Sequence, residues 1–183
     1  LARPVFRTLR SLRLTGNRIG NDLGHELAAT NLDQLTWLQL GGTRLTAAGV
    51  RAVCASEHLL GVRRLGLGLV KMGKGGLRAL VRGQGFSEVE DLDLYACELQ
   101  DPELATVLSS SLPLRRLNVR FNQQGHAFRQ ALAEHPTLEA LKLQHRYEAL
   151  APQLPSTLKW LDLAGSECPE AALLGIRRLS ALT

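Results

Sequence analysis

The sequence predicts an α/β solenoid: a right-handed horseshoe of about seven repeats, with a parallel sheet on its concave side and helices on its convex side. Three observations predict it. One leucine pattern recurs seven times along the 183 residues. Within each copy, Leu-x-Leu alternation puts the leucines on one face of a short strand. Between copies the apolar residues switch to helical spacing, so each unit supplies one strand and one return segment.

The pattern is Leu-x-x-Leu-x-Leu-x-x-(Asn/Cys/Thr)-x-Leu. The first copy reads Leu9, Leu12, Leu14, Asn17, Ile19, and the second Leu35, Leu38, Leu40, Thr43, Leu45. The third is Val62, Leu65, Leu67, Val70, Met72, and the fourth Val89, Leu92, Leu94, Cys97, Leu99. The fifth is Leu114, Leu117, Val119, Asn122, with Gln124 where an apolar residue is expected. The sixth keeps Leu138, Leu141 and Leu143, then places Arg146 and Glu148 in the pattern's later columns. The seventh is Leu158, Leu161, Leu163, Ser166, Cys168, and Leu179 with Leu182 opens an eighth. Starts at 9, 35, 62, 89, 114, 138, 158 and 179 are separated by 26, 27, 27, 25, 24, 20 and 21 residues. The longer units have room for a helix, carried by the pairs Leu23/Leu27, Val50/Val53, Leu77/Leu80, Leu104/Leu108 and Phe128/Leu132. Gly20, Gly49, Gly73 and Gly125 are read as the turns into these helices. Pro152 and Pro155 forbid a regular helix in the sixth return segment, so an extended or 3-10 path and a change of curvature near residue 148 are expected.

These residues form the leucine-rich-repeat signature. Phrases such as Leu12-Arg-Leu-Thr-Gly-Asn-Arg-Ile-Gly20 and Val53-Cys-Ala-Ser-Glu-His-Leu-Leu-Gly-Val-Arg-Arg-Leu65 resemble bacterial repeat proteins of the ribonuclease-inhibitor-like and GALA-like kind, over about residues 1–135. Leu154-Pro-Ser-Thr-Leu-Lys-Trp-Leu-Asp-Leu163 looks more like the short-repeat class of bacterial effectors. The resemblance implies protein binding and no particular partner. It gives a single domain over 1–183, with longer helical repeats in 1–137 and shorter ones in 138–183. Neither end carries the polar cap that a solenoid needs. Leu1–Leu9 matches the tail of a repeat, in phase with Leu27–Leu35 and Val53–Val62, so a fragment of a longer chain is expected.

Composition agrees with a core built from Leu and Ala: 45% of residues are hydrophobic and only 4% aromatic. Each buried Leu or Val contributes roughly 1.5–3 kcal/mol, ample for stacking neighbouring repeats. Nothing approaches the roughly 18 consecutive apolar residues of a membrane span. The three cysteines have no disulfide spacing: Cys54 falls on a return helix, Cys97 in the Asn/Cys column and Cys168 in a core column. Buried free thiols, together with the lack of an Asn-x-Ser/Thr sequon, favour a reducing, cytoplasmic compartment.

Residues between the leucines face outward onto the concave sheet. With the first Leu as position one, position three reads Ser11, Trp37, Arg64, Asp91, Arg116, Ala140, Trp160. Position five reads Arg13, Gln39, Gly66, Asp93, Asn118, Lys142, Asp162, and position seven Thr15, Gly41, Gly68, Tyr95, Arg120, Gln144, Ala164. Position ten adds Arg18, Arg44, Lys71, Glu98, Gln123, Tyr147 and Glu167. The candidate partner-binding set is therefore Arg13, Arg18, Trp37, Arg44, Arg64, Lys71, Asp91, Asp93, Tyr95, Arg116, Arg120 and Trp160. Both tryptophans of the chain share one outward column, and Trp, Tyr and Arg are enriched at binding hot spots. A neighbouring side chain shading each Trp is the plainer reading. Charge is segregated, basic over the first three repeats and acidic at Asp91, Asp93 and Glu98. Stacking puts Asp91 beside Arg64 and Arg116, so cross-strand ion pairs or a partner's complementary charge would each account for it.

Several motifs stop short of chemistry. Gly68-Leu-Val-Lys-Met-Gly73-Lys74-Gly75 nearly matches a phosphate loop, but Gly75 replaces the hydroxyl that would hold magnesium, and the repeat register assigns Val70 and Met72 to the core. His25-Glu26 opens like a zinc helix, but Ala29 stands where the second His belongs. His58, His126, His135 and His145 lack ligand spacing. No cofactor, metal or catalytic residue is expected, and the chain is read as a non-enzyme. Protein recognition on the concave face, as the sensor or adaptor arm of a larger protein, is the leading expectation. Nucleic-acid or anionic-surface binding, motivated by the net charge of +5, and a structural spacer within a large complex are the alternatives.

Overall fold

Three residues of each repeat, positions three to five, become a strand, because the leucine at position four is held in the core while its two neighbours face out. The computed structural model describes residues 7–144 and 154–166. In chain order the elements are β1 (Ser11–Arg13), α1 (Asn21–Ala29), β2 (Trp37–Gln39), α2 (Ala47–Cys54), β3 (Arg64–Gly66), α3 (Gly73–Arg82), β4 (Asp91–Asp93), α4 (Asp101–Leu108), β5 (Arg116–Asn118), α5 (His126–Ala133), β6 (Ala140–Lys142) and β7 (Trp160–Asp162). Single 3-10 turns follow α2 at Glu57–Leu59 and α3 at Gln84–Phe86. The strands form one parallel sheet in sequence order, β1 to β7.

The register is the repeat itself. Leu12, Leu38, Leu65, Leu92, Leu117, Leu141 and Leu161 pair in sequence across the sheet, so every numbered position stacks on its equivalent. The result is an α/β, leucine-rich-repeat-like solenoid. Leucines at positions one, four and six from β2 to β5 are almost fully buried. Those of β1, with a neighbour on one side only, are half-buried.

After each strand the chain must turn from the sheet toward the helix, and position eight makes that turn in the left-handed region. Gly16, Gly42 and Gly165 serve there in three repeats, with φ of 79°, 67° and 77°. Leu69, Ala96 and Phe121 adopt the same conformation in the other described repeats, at 64°, 51° and 57°. A side chain in that region costs about 1–2 kcal/mol relative to glycine. Position nine then ties the turn down. Asn122 Oδ1 accepts from the Cys97 and Leu99 amides at 3.1 and 2.9 Å, while its Nδ2 donates to the Leu94 and Val119 carbonyls at 2.7 and 3.1 Å. Thr43 Oγ1 donates to Leu40 O at 2.7 Å. Cys97 Sγ donates to Leu67 O at 3.2 Å, in the repeat where Val70 has no polar group to offer.

The expected helix pairs Leu23/Leu27, Val50/Val53, Leu77/Leu80, Leu104/Leu108 and Phe128/Leu132 all lie on α1 to α5 with their side chains buried. One glycine reading needs correction. Gly49 lies within the first turn of α2, not before it, because the α1 and α2 backbones approach there: a Cβ on Gly24 would sit 2.6 Å from the Gly49 carbonyl oxygen. Helix starts are also capped across repeats. Asn21 Oδ1 accepts from the Thr46 and Gly49 amides at 2.9 and 3.2 Å. Asp101 accepts from the Gly125, Ala127 and Phe128 amides at 2.8, 3.0 and 2.8 Å. Burial alone would raise the Asp101 carboxyl, but these amide donors and Arg129 hold it below the usual carboxylate range. The expected curvature change near 148, and the readings of His145, Arg146, Tyr147, Glu148, Glu167, Cys168, Leu179 and Leu182, fall outside the described residues.

Candidate recognition surface

The outward side chains of positions three and five form two contrasting stretches. Over β1–β3 the centre is Trp37. The Arg13 guanidinium lies 5.1 Å from its ring centroid and the Arg64 guanidinium 5.4 Å, so arginines from the strands on either side stack on one half-buried ring. Each such contact contributes about 0.5–1 kcal/mol at an exposed site. Beside them the surface is low: Gly41, Gly66 and Gly68 replace side chains at positions five and seven, and Gln39 lies across Gly66. A bulkier residue at Gly66 would displace that Gln39 side chain.

From Gln39 across β4–β7 the surface opens into a cavity of about 450 Å³, lined also by Asp91, Asp93, Arg116, Asn118, Lys142 and Trp160. Trp160 is 46% exposed, with the Lys142 ammonium 5.4 Å from its ring. Asp93 is internally engaged: Oδ1 accepts from the Tyr95 amide at 3.0 Å and from Asn118 Nδ2 at 2.8 Å. Asp91 is half-buried. Burial pushes its carboxyl up, Arg116 and Arg64 pull it down and Asp93 raises it again, leaving it above the ordinary value.

The two tryptophans are thus treated differently. Trp37 is covered by its neighbours, whereas Trp160 remains largely open. Cross-strand ion pairs from Asp91 to Arg64 and Arg116 do not form: the register aligns the three, yet no N–O contact within 4.0 Å joins them among the described residues. The closed ladder lies one position earlier, where the strands begin. Arg63 Nη1 meets Glu90 at 3.0 Å, Glu90 lies 3.9 Å from Arg115 Nε, Arg115 Nη1 meets Glu139 at 2.7 Å, and Lys159 Nζ reaches Glu139 at 3.4 Å. Slight desolvation would raise the Glu139 carboxyl, but Lys159 and Arg115 hold it below the usual range.

At the opposite edge, where the strands end, three expected binding residues are tied to their neighbours. Lys71 is neutralised by Glu98 at 2.6 Å. Arg120 bridges to the seventh repeat, 3.4 Å from Asp162 and donating to Ala164 O at 2.7 Å. Tyr95 packs edge-on against Phe121, with ring centroids 5.0 Å apart. Arg18 and Arg44 are exposed on the turns rather than on the sheet, Arg44 with φ of 62°. Leu69 and Phe121 are 58% and 49% exposed on their left-handed turns.

Val70 and Met72 are fully buried, His25 and Glu26 lie exposed on α1, and no cluster of three metal-ligating side chains occurs among the described residues. Burial pushes the Cys54 and Cys97 thiols up to about 12, so neither is a nucleophile near neutral pH. Among the described residues no helix is long and apolar enough to cross a membrane. The position-two ladder links residues at the strand starts and the cross-repeat caps link helix starts to the preceding repeat, and sequence reading missed both. Alternation of sign at Arg63, Glu90, Arg115, Glu139 and Lys159 is the signal that could have found the ladder. No protein-family model matches the chain, and no curated protein matches it.

Proposed function

We propose that this chain is a protein-recognition module that holds a partner on its concave face, as the sensor or adaptor arm of a larger protein. The observation that carries the reading is the cavity of about 450 Å³ on the open sheet, with an exposed Trp160, a mixed set of charges and an arginine-stacked Trp37 nearby. Rigid aromatic anchors within a mixed-charge rim are what protein interfaces use for affinity and selectivity. The leucine-rich-repeat class, of the ribonuclease-inhibitor-like kind, is part of the same reading, supported by the repeat register and the position-nine hydrogen bonds. Two buried thiols suit a reducing, cytoplasmic setting.

Partner capture on this chain, beside a Trp37→Ala/Trp160→Ala form of equal thermal stability, tests the reading. A bound protein lost from the double variant supports concave recognition; equal capture by both forms contradicts it. Binding to nucleic acid or another anionic surface is the second reading, favoured by the exposed Arg13, Arg18, Arg44 and Arg64. It requires binding to short oligonucleotides that weakens steeply with salt. Asp91 and Asp93, midway along the sheet, oppose it.

A further inference from the structure

Resting on concave protein recognition, we infer that the face reads one extended protein segment by charge order: an acidic side chain over β3, a basic one over β4 and an acidic one over β5.

The receiving groups are Arg64, Asp91 and Arg116, paired in register on three successive strands. Arg64 is stacked on Trp37, which leaves its N–H edge free for a carboxylate while the ring restrains the side chain. Arg13 stacks on the same ring from β1 and adds a second guanidinium. The side chains of Arg13, Arg64 and Arg116 make no hydrogen bond or ion pair with another described residue. Asp91 faces the cavity without an ion pair of its own. A half-buried carboxylate in that position gains from an incoming ammonium or guanidinium, which restores the solvation that burial removed.

Geometry sets the spacing. Adjacent strands lie about 4.8 Å apart and an extended chain advances about 3.3 Å per residue. A segment crossing the strands therefore meets successive charges every one to two residues. Alternation at that pitch opposes a uniform polyanion, whose phosphodiester charge would fall on Asp91 as well as on the arginines. It equally opposes a run of acidic residues.

Selection of a random linear peptide library on the unaltered chain, counter-selected on the Trp37→Ala/Trp160→Ala form, tests the inference. The expected peptides carry acid–base–acid order at one- to two-residue spacing. Reversing the central basic residue to Glu should cost roughly tenfold or more in affinity, as should Asp91→Asn in the protein. Arg64→Glu should prefer peptides whose first acid is changed to Lys. The peptide-side reversals need no protein variant, so misfolding of a variant does not blunt them. Trp-dependent peptides without that order overturn the inference and leave concave recognition standing. Peptides bound equally by the double Trp form overturn both, whereas no enriched peptide at all overturns the inference alone and leaves concave recognition to the capture experiment. An oligonucleotide that displaces the selected peptides in a Trp-dependent way overturns both in favour of the anionic reading.

Discussion

Position two, just before each strand, and position three, its first residue, carry the same alternation of charge over repeats three to five, yet only one closes. At position two, Arg63, Glu90, Arg115, Glu139 and Lys159 link into a continuous ladder with contacts from 2.7 to 3.9 Å. At position three, Arg64, Asp91 and Arg116 align in register without a bridge. Two differences account for it. The acids at position two are glutamates, one methylene longer, and so reach across a gap of about 4.8 Å between strands. Arg64 is drawn the other way, onto Trp37. Alternating charge in a solenoid therefore does not by itself mean internal pairing. Side-chain length and a competing aromatic ring decide whether a column is closed within the protein or remains open to a partner.

Asp91→Asn separates the two columns most strongly. Burial raises the Asp91 carboxyl, so its ionisation opposes folding: its favourable contribution exists below the ordinary carboxylate value and is lost as pH rises. The substitution should leave thermal stability at pH 7 unchanged or higher, by calorimetry, while partner affinity falls about tenfold, about 1.4 kcal/mol. Losing stability and affinity together would place position three with the ladder.

Asp101→Ala calibrates a charge that does hold the fold. It removes the cap from the start of α5 and should cost about 1 kcal/mol in urea unfolding, with partner affinity unchanged. Because the Asp101 carboxyl is held low, its contribution is present above the ordinary carboxylate value and is lost as pH falls through the depressed one. The acid limb of the stability curve should accordingly flatten in the variant. His135, its pKa lowered by burial, adds a separate loss that begins as pH falls below the usual histidine value near 6.5.

Leu69→Gly relieves a left-handed backbone at an exposed side chain and should raise stability by about 0.5 kcal/mol, after glycine's greater unfolded-state entropy is subtracted. Smallest is Glu90→Gln, which cuts the ladder. Exposed pairs contribute about 0–1 kcal/mol, so a few tenths should be lost at low salt and nothing at 1 M salt. A partner bound at position three should not register the change.

The strands, their register and the five helices were legible because leucine repeats at fixed positions, and the stacking of like positions follows from the repeat itself. The left-handed turn at position eight was half-legible: Gly16, Gly42 and Gly165 signal it, but Leu69, Ala96 and Phe121 conceal it. The caps were hidden because Asn21 and Asp101 act on the following repeat rather than on their own helices. At the candidate site, sequence alone put Trp37, Trp160, Arg64 and Asp91 in one column. It did not separate them from Lys71 and Arg120, whose charges are met by Glu98 and Asp162. That separation depends on rotamers and on residues a repeat or two away, which a column of letters does not contain.

The most direct measurement is an NMR titration of side-chain carboxyls on the intact chain, following Asp91 and Glu139 together. Asp91 should titrate above the ordinary aspartate value and Glu139 below the ordinary glutamate value, one open column and one closed. If Asp91 instead titrates below its ordinary value, as Glu139 does, position three is paired within the protein and the distinction between the two columns fails.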